Sequence, residues 1–283
     1  MPAYNREVPA QRIAENLAYI NWTVLTGLAV GAFAAVVLGR LATSATRGYL
    51  AFTAACAAGL GGLAYLSDTG LPGAIAGAAV QADPAWDVPR RLALVAFVVL
   101  AVAYTVALAR GGRAPALALL GVGAGGAAIA AGAIGWAGGP IGIVLLVVQL
   151  ALLAAATGGV FAAMILGHWY LVTPKLPEAP LVLFSRALFA VVAIQLVLFV
   201  AWVAVGTGGA GPFGALGGPW ALFVWLRLLV GLGFPLIVSW AAIQTARSRS
   251  MESATGLLYI NVGSIAAGTI LAAGLYFGAG MLV

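Results

Sequence analysis

Eight stretches of mostly apolar residues divide this chain, and each is long enough to cross a bilayer, which takes about 20 residues of helix. They run over 17–38, 49–66, 92–109, 114–136, 141–171, 181–205, 220–246 and 254–283. No water is available in lipid to satisfy a backbone N–H or C=O, so such runs must be helices. Barrel strands would be about ten residues long and alternate in polarity. Composition agrees: the 283 residues are 64% hydrophobic and only 7% charged. A soluble domain carries about 25% charged residues. The expected fold class is therefore an all-α integral membrane protein. The first run has acidic Glu7 and Glu15 beside Arg6 and Arg12, and no small-x-small site follows it. It reads as a permanent helix rather than a leader.

The second expectation is an internal repeat. Gly31-x-Phe33-Ala34-Ala35-x-x-Leu38-Gly39-Arg40 in the first run matches Gly159-x-Phe161-Ala162-Ala163-x-x-Leu166-Gly167-His168 in the fifth, without gaps. Arg91-Leu92 near the start of the third run matches Arg227-Leu228 in the seventh. Val122-Gly123 in the fourth matches Val262-Gly263 in the eighth. The order is the same in both halves. The chain divides into a tail (1–16), a first four-helix unit (17–137) and a second (138–283). An even number of helices per unit inserts both copies the same way up, giving two parallel four-helix repeats about an axis along the membrane normal.

Arg and Lys at the run ends set orientation. Arg40, Arg47, Arg110, Arg113, Lys175, Arg247 and Arg249 lie on one side, and Arg6, Arg12, Arg90 and Arg91 on the other. The bias places both termini outside the cytoplasm, in the cytoplasmic (inner) membrane. The net charge of +6 sits at run ends rather than in a stripe that could track phosphates, so no nucleic-acid partner is expected. The partners are the lipid bilayer and, for an accessory subunit, other membrane chains.

Polar groups inside the runs are few. Arg227 lies deep enough in the seventh run that it should face the bundle or a wet cavity. Arg186 is shallower in the sixth and can snorkel. Every acidic residue lies at a run end or in a connection, which argues against a proton- or sodium-coupled pump and leaves Arg227 without an evident ionic partner. Gln149, Gln195, Gln244, Asn21 and Asn261 supply amides for interhelical hydrogen bonds or a polar path. Pro235 should free a carbonyl and kink the seventh helix. Gly27/Gly31, Gly121/Gly125 and Gly274/Gly278 are G-x-x-x-G pairs that permit close packing.

Three function classes follow. A transporter or permease for a small or lipophilic anionic solute would use Arg227, Arg186, Gln195 and Asn261. A redox subunit would seat haem or quinone at His168, the one histidine, with Met251 as a second axial ligand. An accessory subunit of a larger complex would need no site. No phosphate loop, nucleophile elbow or zinc-protease motif is present, no metal site is expected, and no residue pattern points to catalysis.

Overall fold

The computed structural model describes residues 8–73, 77–173, 176–209 and 211–283. Arg6 and Lys175, used above for orientation, and Glu7, used in reading the first run, lie outside the described residues, as does Ala210 between α6 and α7. Among the described residues there are eight helices long and apolar enough to span a membrane, and no strand. They are α1 (Leu17–Ala42), α2 (Arg47–Thr69), α3 (Asp87–Ala109), α4 (Pro115–Trp136), α5 (Gly139–Val172), α6 (Ala179–Val205), α7 (Ala221–Arg247) and α8 (Met251–Ala279). A short helix, Pro9–Glu15, precedes α1 and packs on α8.

Helix ends follow local chemistry. Thr46 caps α2 by accepting from the Tyr49 N–H at 3.5 Å. Pro115 opens α4, where a missing N–H costs nothing. Gly206 and Gly280 close α6 and α8 in the left-handed region, with φ of 80° and 68°. The described part of the connection between α2 and α3 caps this end of the two helices. It holds the 3-10 turn Pro84–Trp86, tied down by the Asp83 N–H on the Gly135 carbonyl at 2.8 Å.

The centre of the bundle is the α1–α5 contact. A Cβ on Gly31 would fall 1.8 Å from the Ala154 carbonyl oxygen, and one on Gly158 would fall 2.1 Å from the Ala32 nitrogen. The two backbones touch directly, which only glycine allows. Around this pair, α1 packs on α2, α4, α6 and α8, and α5 packs on α6, α8, α2 and α4. The chains α2–α3–α4 and α6–α7–α8 complete the two sides. Gly27 also faces the α5 backbone, an added Cβ standing 3.5 Å from the Ala154 Cα, whereas Gly121 and Gly125 face the Phe33 and Val30 side chains and Gly278 faces Trp220. An aromatic cluster of Tyr19, Trp22, Trp136 and Phe277 ties α1, α4 and α8 near the face that carries the termini.

Replacing Gly31 with Val should destabilise the protein by at least about 1–3 kcal/mol, because overpacking must push α1 off α5. Gly123→Ala, where nothing lies within 4 Å of an added Cβ, should stay near wild type. Denaturant unfolding in mixed micelles measures both. Equal stability of the two variants would remove the backbone contact from the centre of the fold.

Candidate functional site

Two buried arginines stand on the half of the bundle that carries the termini, and they are treated very differently. Arg90 in α3 is 1% exposed and meets Asp68 in α2, which is 0% exposed. Its Nε donates to Asp68 Oδ2 at 2.5 Å and its Nη2 to Asp87 Oδ1 at 2.9 Å. Arg91 Nε reaches Asp68 Oδ1 at 3.0 Å, and Trp22 Nε1 donates to Asp68 Oδ2 at 2.8 Å. The Arg90 guanidinium also sits 4.9 Å from the Trp136 ring centroid, a cation–π distance. A carboxylate at a helix end was expected to be peripheral, yet Asp68 is fully enclosed. The reason is register. It continues the buried α2 stripe of Ala57, Gly61 and Ala64, so it points inward beneath the α2–α3 cap.

Arg227 in α7 is 2% exposed and has no such acid. Among the described residues no Asp or Glu side chain contacts it. Its Nη2 donates to Gln195 Oε1 in α6 at 2.7 Å, its Nη1 to the Gly231 carbonyl at 3.3 Å, and its Nε to the Val283 backbone oxygen at 3.4 Å. Gln195 is held in turn by donating to the Leu152 carbonyl of α5 at 3.0 Å. Three of the five guanidinium N–H groups are thereby used, on a side-chain amide, the Gly231 carbonyl and the Val283 oxygen.

The Gly231 contact explains the local shape of α7. Pro235 has no N–H, so the carbonyl four residues earlier, that of Gly231, loses its helical donor. Arg227 supplies the replacement. The chain also makes a π-helical turn at Leu229–Gly233, with the Phe234 N–H on the Leu229 carbonyl, directly before the proline. The expected freed carbonyl is present, and the distortion takes the form of a π turn. Gly231 there lies against Gly268 of α8, where an added Cβ would come within 2.6 Å of the Gly268 Cα.

Arg227, Gln195 and Gln149 share a cavity with Leu152, Leu153, Leu198, Trp202 and Val283. Its volume is about 10 Å³, the room of a single water-sized occupant. Gln149 is buried, and its Oε1 has no hydrogen-bond partner among the described residues. Unpaired buried amides are uncommon and call for an occupant or a function.

The other sequence candidates fall elsewhere. Asn261 is fully buried but donates to Ser239 Oγ at 2.9 Å. Ser239 is twelve residues along α7 from Arg227, or about 18 Å of helix axis, so Asn261 belongs to a separate polar contact in the opposite half of the bundle. Arg186 is exposed on α6, as a snorkelling residue would be, and Gln244 is exposed on α7. Asn21 is exposed and donates to Ser67 Oγ at 3.0 Å. His168 is exposed near the end of α5, with Nδ1 3.4 Å from the Tyr259 hydroxyl. Its described partner is thus Tyr259, while Met251 packs against the apolar core. Among the described residues no three His, Cys, Asp or Glu side chains could hold a metal ion together.

No known protein family, no curated protein and no solved structure matches this chain. The functional argument rests on the geometry above.

Asp68→Ala leaves Arg90 buried without its acid and should cost about 3–5 kcal/mol. Gln195→Leu removes one charge-assisted hydrogen bond and should cost about 1.5–3 kcal/mol. Unfolding in mixed micelles distinguishes the two. A larger loss for Gln195→Leu than for Asp68→Ala would contradict this ranking.

Proposed function

We propose that the protein is a permease-type membrane protein that holds a small anion at Arg227. The observation carrying this reading is a guanidinium enclosed in the bundle with no Asp or Glu beside it, sharing a cavity with Gln149, whose Oε1 has no partner among the described residues. A buried charge is costly unless it is compensated. Those three acceptors compensate Arg227 in part, and an anion would complete it. Half a turn of the Gln149 amide presents its N–H groups to the same space, adding donors beside the guanidinium. The cavity size favours a halide or the head of a small carboxylate over anything larger.

The packing supports a duplicated architecture for this carrier, two parallel four-helix repeats. Exchanging α1 with α5, α2 with α6, α3 with α7 and α4 with α8 turns each helix–helix contact given above into another of them. The α1–α5 contact maps onto itself, as a pair on the pseudo-axis must. In the repeat Arg227 then stands opposite Arg91, next to the enclosed Arg90, and Arg90 and Arg227 are each tied to the helix before it. On this reading the first half holds its cation permanently with Asp68, and the second half keeps its cation for solute. The excess of Lys and Arg on the opposite face supports termini outside the cytoplasm.

Reconstituted liposomes should pass chloride or formate faster than protein-free ones. Arg227→Gln should slow that flux at least tenfold while the protein still elutes as a folded species. Wild-type protein that carries neither probe above the protein-free rate would defeat the small-anion reading, as would an Arg227→Gln variant as fast as wild type.

A further inference from the structure

At the face opposite the termini a second cationic site stands on different residues. A cavity of about 350 Å³ is lined by Val37, Arg40 and Leu41 of α1, Tyr104 of α3, Arg113, and Pro115 and Ala118 of α4. Tyr104 is 1% exposed, its side chain lines this cavity, and its hydroxyl makes no hydrogen bond among the described residues. Its position is fixed by the buried stripe Arg90, Leu94, Phe97, Ala101, Tyr104 and Leu108, whose spacing of three and four keeps one face of α3 inward. A phenol so placed in an apolar wall has an unmet donor.

The charges around it are one-sided. The connections α1–α2 and α3–α4 carry Arg40, Arg47, Arg110 and Arg113 and no Asp or Glu. Neither Arg40 nor Arg113 has an ion-pair partner among the described residues. Arg47 reaches over the second connection, its Nη1 3.0 Å from where a Gly111 Cβ would stand. In the second half of the chain the matching face is offset by acid: Arg249 pairs with Glu178 at 2.9 Å. The site also takes in the start of the 22-residue helix α4, entered through Ala114 at φ 37°. The Ala118 N–H bonds to Ala114, while the Ala116 and Leu117 N–H groups have no helical acceptor and head the positive end of the helix dipole.

We propose that this cavity binds an anionic phospholipid, with its phosphate between Arg40, Arg113 and the first turn of α4. The site is layered as a lipid is. The guanidinium groups lie at the helix ends, Val37, Leu41 and Ala118 supply apolar wall, and Tyr104 lies five residues inside α3, about 7 Å deeper. Its hydroxyl donates to an ester carbonyl below the phosphate. Free phosphate offers the same charge to the arginines but has no group to reach Tyr104.

Native mass spectrometry in mild detergent tests this with phosphatidylglycerol, phosphatidylcholine and inorganic phosphate as probes. The wild-type protein should retain phosphatidylglycerol over phosphatidylcholine by at least tenfold. The double variant R40Q/R113Q should lose that preference, and Tyr104→Phe should weaken lipid retention severalfold. Arg249→Gln, on the same face but in the acid-paired half, should keep it. Arg113 is exposed, so Arg113→Glu alone leaves the fold intact and should still cut retention. Displacement of the lipid by millimolar inorganic phosphate would assign the site to the free anion and overturn the proposal. So would an unchanged lipid preference in R40Q/R113Q or Arg113→Glu.

Discussion

The backbone contact of α1 with α5 at Gly31 and Gly158 is the constraint on which the rest of the bundle depends. In lipid, helices gain little from hiding apolar side chains, because the solvent is equally apolar. Association must come from close van der Waals contact and from polar bonds. A pair of glycines that brings two backbones together supplies the first at the centre of the molecule. The remaining helices then arrange themselves around that axis, and the buried polar groups find their partners only because α1 and α5 are already in register. Thr157 on α5 meets Thr269 on α8 at 2.8 Å, and the Tyr49 hydroxyl on α2 donates to the Ala162 carbonyl of α5 at 3.1 Å.

The two enclosed arginines show what the bundle does with charge. Arg90 opens the buried stripe of α3, Arg227 follows Val224 in that of α7, and each reaches back to the preceding helix. The first finds the carboxylate of Asp68, reinforced by Arg91 and Trp22. Breaking such a pair is expensive, so the first half behaves as a fixed clamp between α2 and α3. The second finds only the amide of Gln195 and two backbone oxygens. The same geometry with acid replaced by amide converts a structural ion pair into a cation with residual capacity. That difference in partner, rather than the presence of an arginine in a membrane helix, is what makes α7 the functional candidate.

The eight spans were legible because length and apolarity are read directly against bilayer thickness. Arg227 and Gln195 were legible as rare polar groups, though not as neighbours, since α6 and α7 contact depends on rotation about each axis. Asp68 was misread because its position at a run end concealed its phase. Counting back through Ala64, Gly61 and Ala57 places it on the buried face. Gly158 was missed because a glycine pair is informative only with its partner helix, and the tightest contact joins residues on two different runs. Tyr104 was missed for the opposite reason: in a chain rich in aromatics, a tyrosine on an apolar stripe looks like core until its hydroxyl is seen to have no partner. Asn261 was grouped with Arg227 by residue type alone, and the rise along α7 separates them.

The link between Pro235 and Arg227 bears on how a site here could respond to an occupant. The proline removes a donor from the Gly231 carbonyl, and Arg227 fills it from one turn before. The guanidinium therefore serves the helix and faces the cavity at once. An anion in the cavity would compete for the same N–H groups, and any loosening of the Gly231 bond would act on the π turn at Leu229–Gly233. That turn is pressed against Gly268 of α8, with the Arg227 side chain beside both glycines. A change of ligation at Arg227 is thus coupled through one carbonyl to the packing of α7 on α8. A local charge event would reach the helix interface without a long chain of intermediates.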